Sequence, residues 1–227
     1  MEQDLTQLDD DLWVQPQPLR FLGLHLGTRM TVVRLASGGL FVHSPIALTD
    51  ALRGQLGDLG PVRHVVAPNR YHHLYVGDFA KAYPEAQVHG APRLAAKRKD
   101  VVFDSELGDT PHADWASDLE QRHIHGTTLR ETVFFHRRTR TLISCDLTEN
   151  FATSPHFATR LYLKLGGIHG RVGLSRPLRL FFRDKDAARS SIDQVLQWDF
   201  DRVTLAHGDV IETGGKEAIR QTYSWLR

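Results

Sequence analysis

The chain has a single cysteine, Cys145, so it has no internal disulfide to staple it. It also lacks any apolar run near the roughly 20 residues that a membrane-spanning helix needs. Charge of neither sign dominates, because 28 Lys and Arg stand against 27 Asp and Glu. A net charge of +1 gives no general case for nucleic acid as a partner. The opening residues MEQDLTQLDDDLW are acidic and have no apolar core of a secretory signal. Residues 1–12 are therefore expected to form a flexible N-terminus, and the default compartment is the cytoplasm. Repeats and low-complexity tracts are missing as well. What is left is an ordinary globular composition, 41% hydrophobic, with the length of one domain spanning residues 1–227.

What the chain does have is histidine, 13 of them. Histidine titrates near neutrality and carries ring nitrogens that need partners when buried, so an excess raises the case for metal or acid–base chemistry. Position has to decide. The strand-like runs MTVVRL (30–35) and LFVHSPI (40–46) flank the turn ASGG. TDALRGQLGDLG predicts a helix, with Thr49 as N-cap and Gly60 as its stop. VRHVVA (62–67), a helix ending near Pro84 and AQVHGA (86–91) follow, an alternation that predicts α/β layers. ETVFFH (131–136) and TLISCD (141–146) read as a hairpin on a basic turn. Residues 151–182 form a block without acidic residues, expected to be one or two helices. The chain ends in a helix over 185–198, a strand RVTLA (202–206) and a last helix, KEAIRQTYSWL.

Three chemistry-bearing loops share one context. VRHVVA runs into His72 and His73, TLISC into Asp146, and RVTLA into His207 and Gly208. In open α/β sheets, ligands bind beyond the carboxyl ends of strands, where such loops converge. Imidazoles and a carboxylate delivered there suit one divalent ion, zinc or iron. Taken singly, each of these residues also fits a hydrogen-bonded loop position or, for Asp146, a cap.

In order and spacing these motifs resemble the metallo-β-lactamase superfamily, over about residues 19–226. RMTVVRL…GGLFVHSP, PNRYHHL and LAHGD resemble more closely a little-characterised branch of it, defined by a domain of unknown function. The resemblance implies an αββα sandwich, here with a helical insertion near 151–182. It also implies a first motif of the form His-x-His-x-Asp-His, which this chain breaks. With His72 and His73 over Asp-His, the two earlier positions fall on Pro68 and Arg70, which cannot serve as ligands. The separate later histidine of the superfamily falls near Thr127 or Thr128, with His123 and His125 upstream and Glu131 as the one nearby acid. One of the two usual metal positions is thus dismantled. The other maps to His72, His73, Asp146 and His207, with Asp146 as ligand or as the group orienting water.

The expected activity is metal-dependent hydrolysis of an ester, thioester, lactone or phosphodiester. Two other readings stand beside it: a mononuclear non-haem iron oxidoreductase, and a non-catalytic protein that binds metal or ligand. Asn69, Tyr71 and His43 are the candidates for substrate contact, with turn formation or loop packing as their ordinary alternatives. The basic block 151–182 suggests a lid and a small-molecule substrate that is anionic or amphiphilic, with a solvated basic face or an interfacial helix as its alternatives. Cys145 reads as an inert buried thiol.

Overall fold

The computed structural model describes residues 4–226. Leu40–His43 and Thr132–His136 are buried at every position, which a strand achieves only if its sheet is covered on both faces. That requirement produces four layers. One sheet has seven strands in the order Thr6–Asp9, Leu12–Gln17, Thr28–Arg34, Leu40–His43, Val62–Ala67, Gln87–Gly90 and Ser105–Glu106. The other has four, in the order Leu119–His123, Thr132–His136, Thr141–Ile143 and Arg202–Thr204. Helices Asp50–Leu59 and Val76–Ala82 cover the outer face of the first sheet through Leu52, Leu56 and Phe79. Helices Lys185–Val195 and Gly215–Thr222 cover the second through Ile192 and Ile219. Between the sheets lie Phe41, Val66, Trp115, Phe134 and Ile143. Truncating a ring such as Phe134 there would cost about 3–5 kcal/mol, because the surrounding layers cannot close the void. This is the αββα sandwich.

Local chemistry sets the expected boundaries. Thr49 Oγ1 accepts the Leu52 N–H at 3.2 Å, capping helix Asp50–Leu59, and Gly60 ends it. Strands Thr132–His136 and Thr141–Ile143 pair antiparallel as the hairpin. The block after residue 150 carries the two helices expected, with a strand between them. It holds helix Phe157–Gly166 and the short helix Arg176–Arg179, but Arg171–Gly173 is a strand paired with Glu149–Phe151.

The expectation of a loose N-terminus through residue 12 does not hold from Thr6 onward. Thr6–Asp9 is an edge strand on Leu12–Gln17. Acidic side chains of this segment are paired: Asp9 of the strand with Arg202 at 2.8 Å and Asp11 of the following turn with Arg34 at 2.6 Å. Residues 1–3 of that expectation lie outside the described residues.

Two parallel pairings place the functional loops. Leu40–His43 runs parallel to Val62–Ala67, and Thr141–Ile143 parallel to Arg202–Thr204. Their carboxyl ends therefore emerge along a common edge. The sheets are tied there, since Thr132 N–H donates to the Pro68 carbonyl at 2.9 Å and Arg70 N–H to the Leu129 carbonyl at 3.2 Å.

Candidate metal centre

At this edge the structure brings together His72, Asp146 and His207, all buried. Asp146 Oδ1 lies 3.2 Å from His207 Nε2 and 3.5 Å from His72 Nε2. One ligand-type atom from each residue lies within 4.8 Å of the others, and no other such trio of His, Cys, Asp or Glu occurs among the described residues.

The opposite sides of these groups are held by the chain, which leaves the inner atoms free to face one point. His207 Nδ1–H donates to the Gly27 carbonyl at 2.9 Å, a bond that fixes the ring and turns Nε2 toward the cluster. The His207 loop is itself gripped by Arg29, whose guanidinium donates to the carbonyls of Leu205 and Gly208 at 2.5 and 2.7 Å. His72 Nδ1 sits 3.0 Å from Ser44 Oγ and 3.5 Å from Thr28 Oγ1. Asp146 Oδ2 accepts from Asn69 Nδ2 at 2.7 Å, so Oδ1 is the oxygen left for the cluster.

Asn69 organises more than that one bond. The same amide nitrogen donates to Glu131 Oε2 at 3.1 Å, so it stands between two buried carboxylates. Its Oδ1 accepts the N–H groups of Tyr71 and His72, both at 2.8 Å, and so shapes the turn that presents His72. Glu131 accepts the backbone N–H of Cys145 at 2.7 Å and of Asp146 at 2.8 Å. Burial and the neighbouring Asp146 push the Glu131 carboxyl up. Burial opposes ionisation of Asp146 too, but His72 beside it and the bonds from His207 and His72 outweigh that, holding it well below the usual carboxylate range. His207 is raised because Asp146 overcomes its desolvation.

The other candidates stand differently. His73 lines the same cavity but is not in the trio. Its Nδ1 lies 3.0 Å from the Arg98 guanidinium, which also donates to its carbonyl. Burial, with Lys97 and Arg98 adjacent, lowers its pKa to about 4, so the imidazole accepts from Arg98 in neutral form. Tyr71 lines the cavity, edge-on to Phe21 and Phe181 at 6.5 and 5.8 Å. Asn69 is buried behind the cavity, between the carboxylates. His43 points into the inter-sheet core, 5.6 Å from Phe134, because strand alternation gives it the same face as Phe41. Ser44, one residue on, is the one that lines the cavity. His123 bonds Thr132 Oγ1 at 3.2 Å and His125 bonds Asp109 at 2.9 Å, both outside the trio.

Sequence reasoning passed over two residues of the cavity wall, Glu149 and Tyr162. Glu149 Oε1 accepts from the Tyr162 hydroxyl at 3.3 Å, and Oε2 from the Ser175 N–H at 3.1 Å. Burial raises the Glu149 carboxyl, despite the bonds from Ser175 and the nearby His207. The only signal for it was an acid three residues beyond Asp146.

The cavity over the trio holds about 560 Å³. Its polar groups include the trio, Glu149, Ser44, His73 and Lys97, while residues such as Leu24, Leu26, Leu178 and Phe181 make apolar walls. That is the composition of a small-molecule site, with few polar groups set in an apolar surround.

Residues 9–162 match the family model described as Domain of unknown function (DUF4336). No curated protein matches the chain. Among solved structures, a metallo-β-lactamase from Pontibacter korlensis is similar with a TM-score of 0.67 at 15% identity, over 98% of each chain. One from Hirschia baltica gives 0.68 at 13% identity, over 100% of this chain and 99% of that one. The metal-soaked flavodiiron core from Synechocystis gives 0.68 at 13% identity, over 99% of this chain and 61% of that one. At these identities the likeness is one of fold.

Proposed function

The chain belongs to the DUF4336 family, a divergent branch with the metallo-β-lactamase fold, and we propose that it is a metal-dependent hydrolase with a reduced, mononuclear centre. The observation that carries this reading is the convergence of His72 Nε2, His207 Nε2 and Asp146 Oδ1, with the far side of each group already bonded. Two neutral imidazoles and one carboxylate are a donor set that fits Zn²⁺ or Fe²⁺ and leaves open positions. Bound there, such an ion would supply a water of lowered pKa and polarise an ester, thioester, lactone or phosphodiester oxygen.

The remaining roles fall to the chain itself. Gly27, Ser44 and Asn69 hold the ligands in orientation, as outer partners of metal ligands do. Glu149, at the cavity wall beside His207, is positioned to accept a proton from a reacting water or to hold a leaving group's hydroxyl. Apolar walls exclude water and receive the hydrophobic part of an amphiphilic substrate. The 151–182 block supplies Tyr162, Leu178 and Phe181 to those walls, in keeping with a role as lid.

A second reading is supported by the donor set itself. Two His and one carboxylate with open positions is also the arrangement of non-haem iron oxygenases. Elemental analysis of protein purified without added metal, followed by assays on ester, lactone and phosphodiester panels, separates the two. Zinc with hydrolytic turnover is expected. Iron with oxygen consumption would favour oxidation, and no stoichiometric metal would sink both. His207→Ala and Asp146→Ala should abolish metal binding, whereas His73→Ala should leave most of it.

A further inference from the structure

Side chains at the cavity mouth break the rule that apolar residues go inside. Phe21, Leu22, Tyr71 and Leu74 all line the cavity and are also exposed. Next to them, helix Phe157–Gly166 turns Phe157, Leu161 and Leu165 outward at i, i+4 and i+8, while Thr159, Leu163 and Gly166 face in. This helix is joined to the mouth. The His25 N–H donates to Thr159 Oγ1 at 2.9 Å, and the rings of His25 and His156 stack 3.5 Å apart. Tyr162, beside Leu161, lines the cavity. Single exposed leucines need no explanation, but a group this size, joined to one opening, does.

Leu22 sharpens the point. It and Gly23 form the two-residue turn between strands Arg20–Phe21 and Leu24–His25, with φ of +48° and +82°. Such a turn ordinarily takes Asn, Asp or Gly at its first position, because a left-handed backbone strains other side chains. Leu22 bears that strain while 87% exposed, so it recovers nothing by burial within the chain. A residue that violates both local rules at once points to something outside the chain.

Charge says what that is. There is no Asp or Glu among residues 19–28, 69–77 or 156–166, which carry the mouth and the helix beside it. Arg20, Arg70, Arg160 and Lys164 lie in these segments and Lys97 stands over Tyr71, in a chain whose net charge is only +1. We propose that this face docks on the surface of an anionic lipid bilayer. The apolar ridge enters the boundary between headgroups and acyl chains, the cations meet lipid phosphates, and the cavity mouth opens toward the membrane. A second copy of the chain is a poorer occupant, because it would set one cationic face against another. The proposal concerns a surface and stands independently of the hydrolase reading.

Co-sedimentation of the full chain with vesicles tests it, comparing phosphatidylcholine alone with phosphatidylcholine and phosphatidylserine in equal parts. Binding to the mixed vesicles that falls with added salt is the expected result. Leu22→Asp combined with Phe157→Asp should abolish it, with an unchanged urea midpoint confirming the fold. Arg160→Gln and Lys164→Gln should each weaken it about fivefold. The proposal fails if the chain ignores both vesicles, binds both alike, or binds equally after the substitutions. It fails also if light scattering shows a dimer that the Asp substitutions split.

Discussion

Replacing Asn69 tests whether the candidate centre is held together by the bridge between its carboxylates. Its Nδ2 lies 2.7 Å from Asp146 Oδ2 and 3.1 Å from Glu131 Oε2, and its Oδ1 takes two backbone N–H groups at 2.8 Å. Hydrogen bonds to charged groups contribute about 1.5–3 kcal/mol each and neutral ones about 1 kcal/mol. Asn69→Ala removes two of each kind, a gross loss of about 5–8 kcal/mol. Water entering the gap recovers part of this, so the expected net loss is about 3–5 kcal/mol. Asn69→Asp is the discriminating partner. It keeps the acceptor for Tyr71 and His72 but puts a third carboxylate against the other two. Like charges about 4 Å apart cost about 4 kcal/mol at an effective dielectric near 20, so this isosteric change should cost at least as much as alanine. Urea unfolding of the metal-free protein reads the stabilities, and calorimetric titration with zinc should show affinity lowered about 10- to 100-fold in either variant. If Asn69→Asp lies within about 1 kcal/mol of the parent while Asn69→Ala is severely destabilised, the residue acts through its turn and the bridging argument is wrong.

A second test concerns acid stability. His89 is buried in contact with His64 at 3.1 Å and Ser105 at 2.7 Å, and burial, then His64 and His112, lowers its pKa to about 3. A group depressed below its unfolded value of about 6.5 contributes stability above that pH and loses it as pH falls toward 3, about 2 kcal/mol by pH 5. His89→Gln should therefore shrink the difference between urea stabilities at pH 7 and pH 5 by about that amount, and an unchanged difference would refute the assignment. At Gly208, φ is +96° and a Cβ would overlap the Asn150 carbonyl, so Gly208→Ala should lower stability by about 2–3 kcal/mol and weaken zinc binding by displacing His207. A thermal melt and a zinc titration check the two effects. Tyr162→Phe removes a hydroxyl that meets Glu149 and Ser175, and should cost about 1 kcal/mol in urea unfolding; an unchanged midpoint would refute the contact's contribution.

Much of the fold was legible because its signals are short-range. Thr49 and Gly60 bound a helix through chemistry within four residues, and fully buried strands announce themselves as apolar runs. Asp146 and His207 could be singled out because a strand end is a local event with a known consequence in an α/β sheet. The edge strand Thr6–Asp9 was not legible, because the Asp9 carboxylate is neutralised by Arg202, far away in sequence. The same holds for Arg29, whose partners are the carbonyls of Leu205 and Gly208.

Taken alone, then, the sequence determined the α/β layering, to which its resemblance to a known superfamily added the αββα order, the absence of imidazoles at positions 68 and 70, and the chain order in which His72, Asp146 and His207 arrive. Only the tertiary structure decided which of two adjacent histidines faces the centre. A backbone turn sends neighbouring side chains in different directions, and Arg98, 25 residues beyond His73, is what receives it. Tertiary structure alone also placed Asn69 between the carboxylates rather than in the cavity. It brought Glu149 and Tyr162 to the cavity wall as well. Each of these outcomes depends on contacts between segments distant in sequence, and composition and spacing carry no record of where such segments meet.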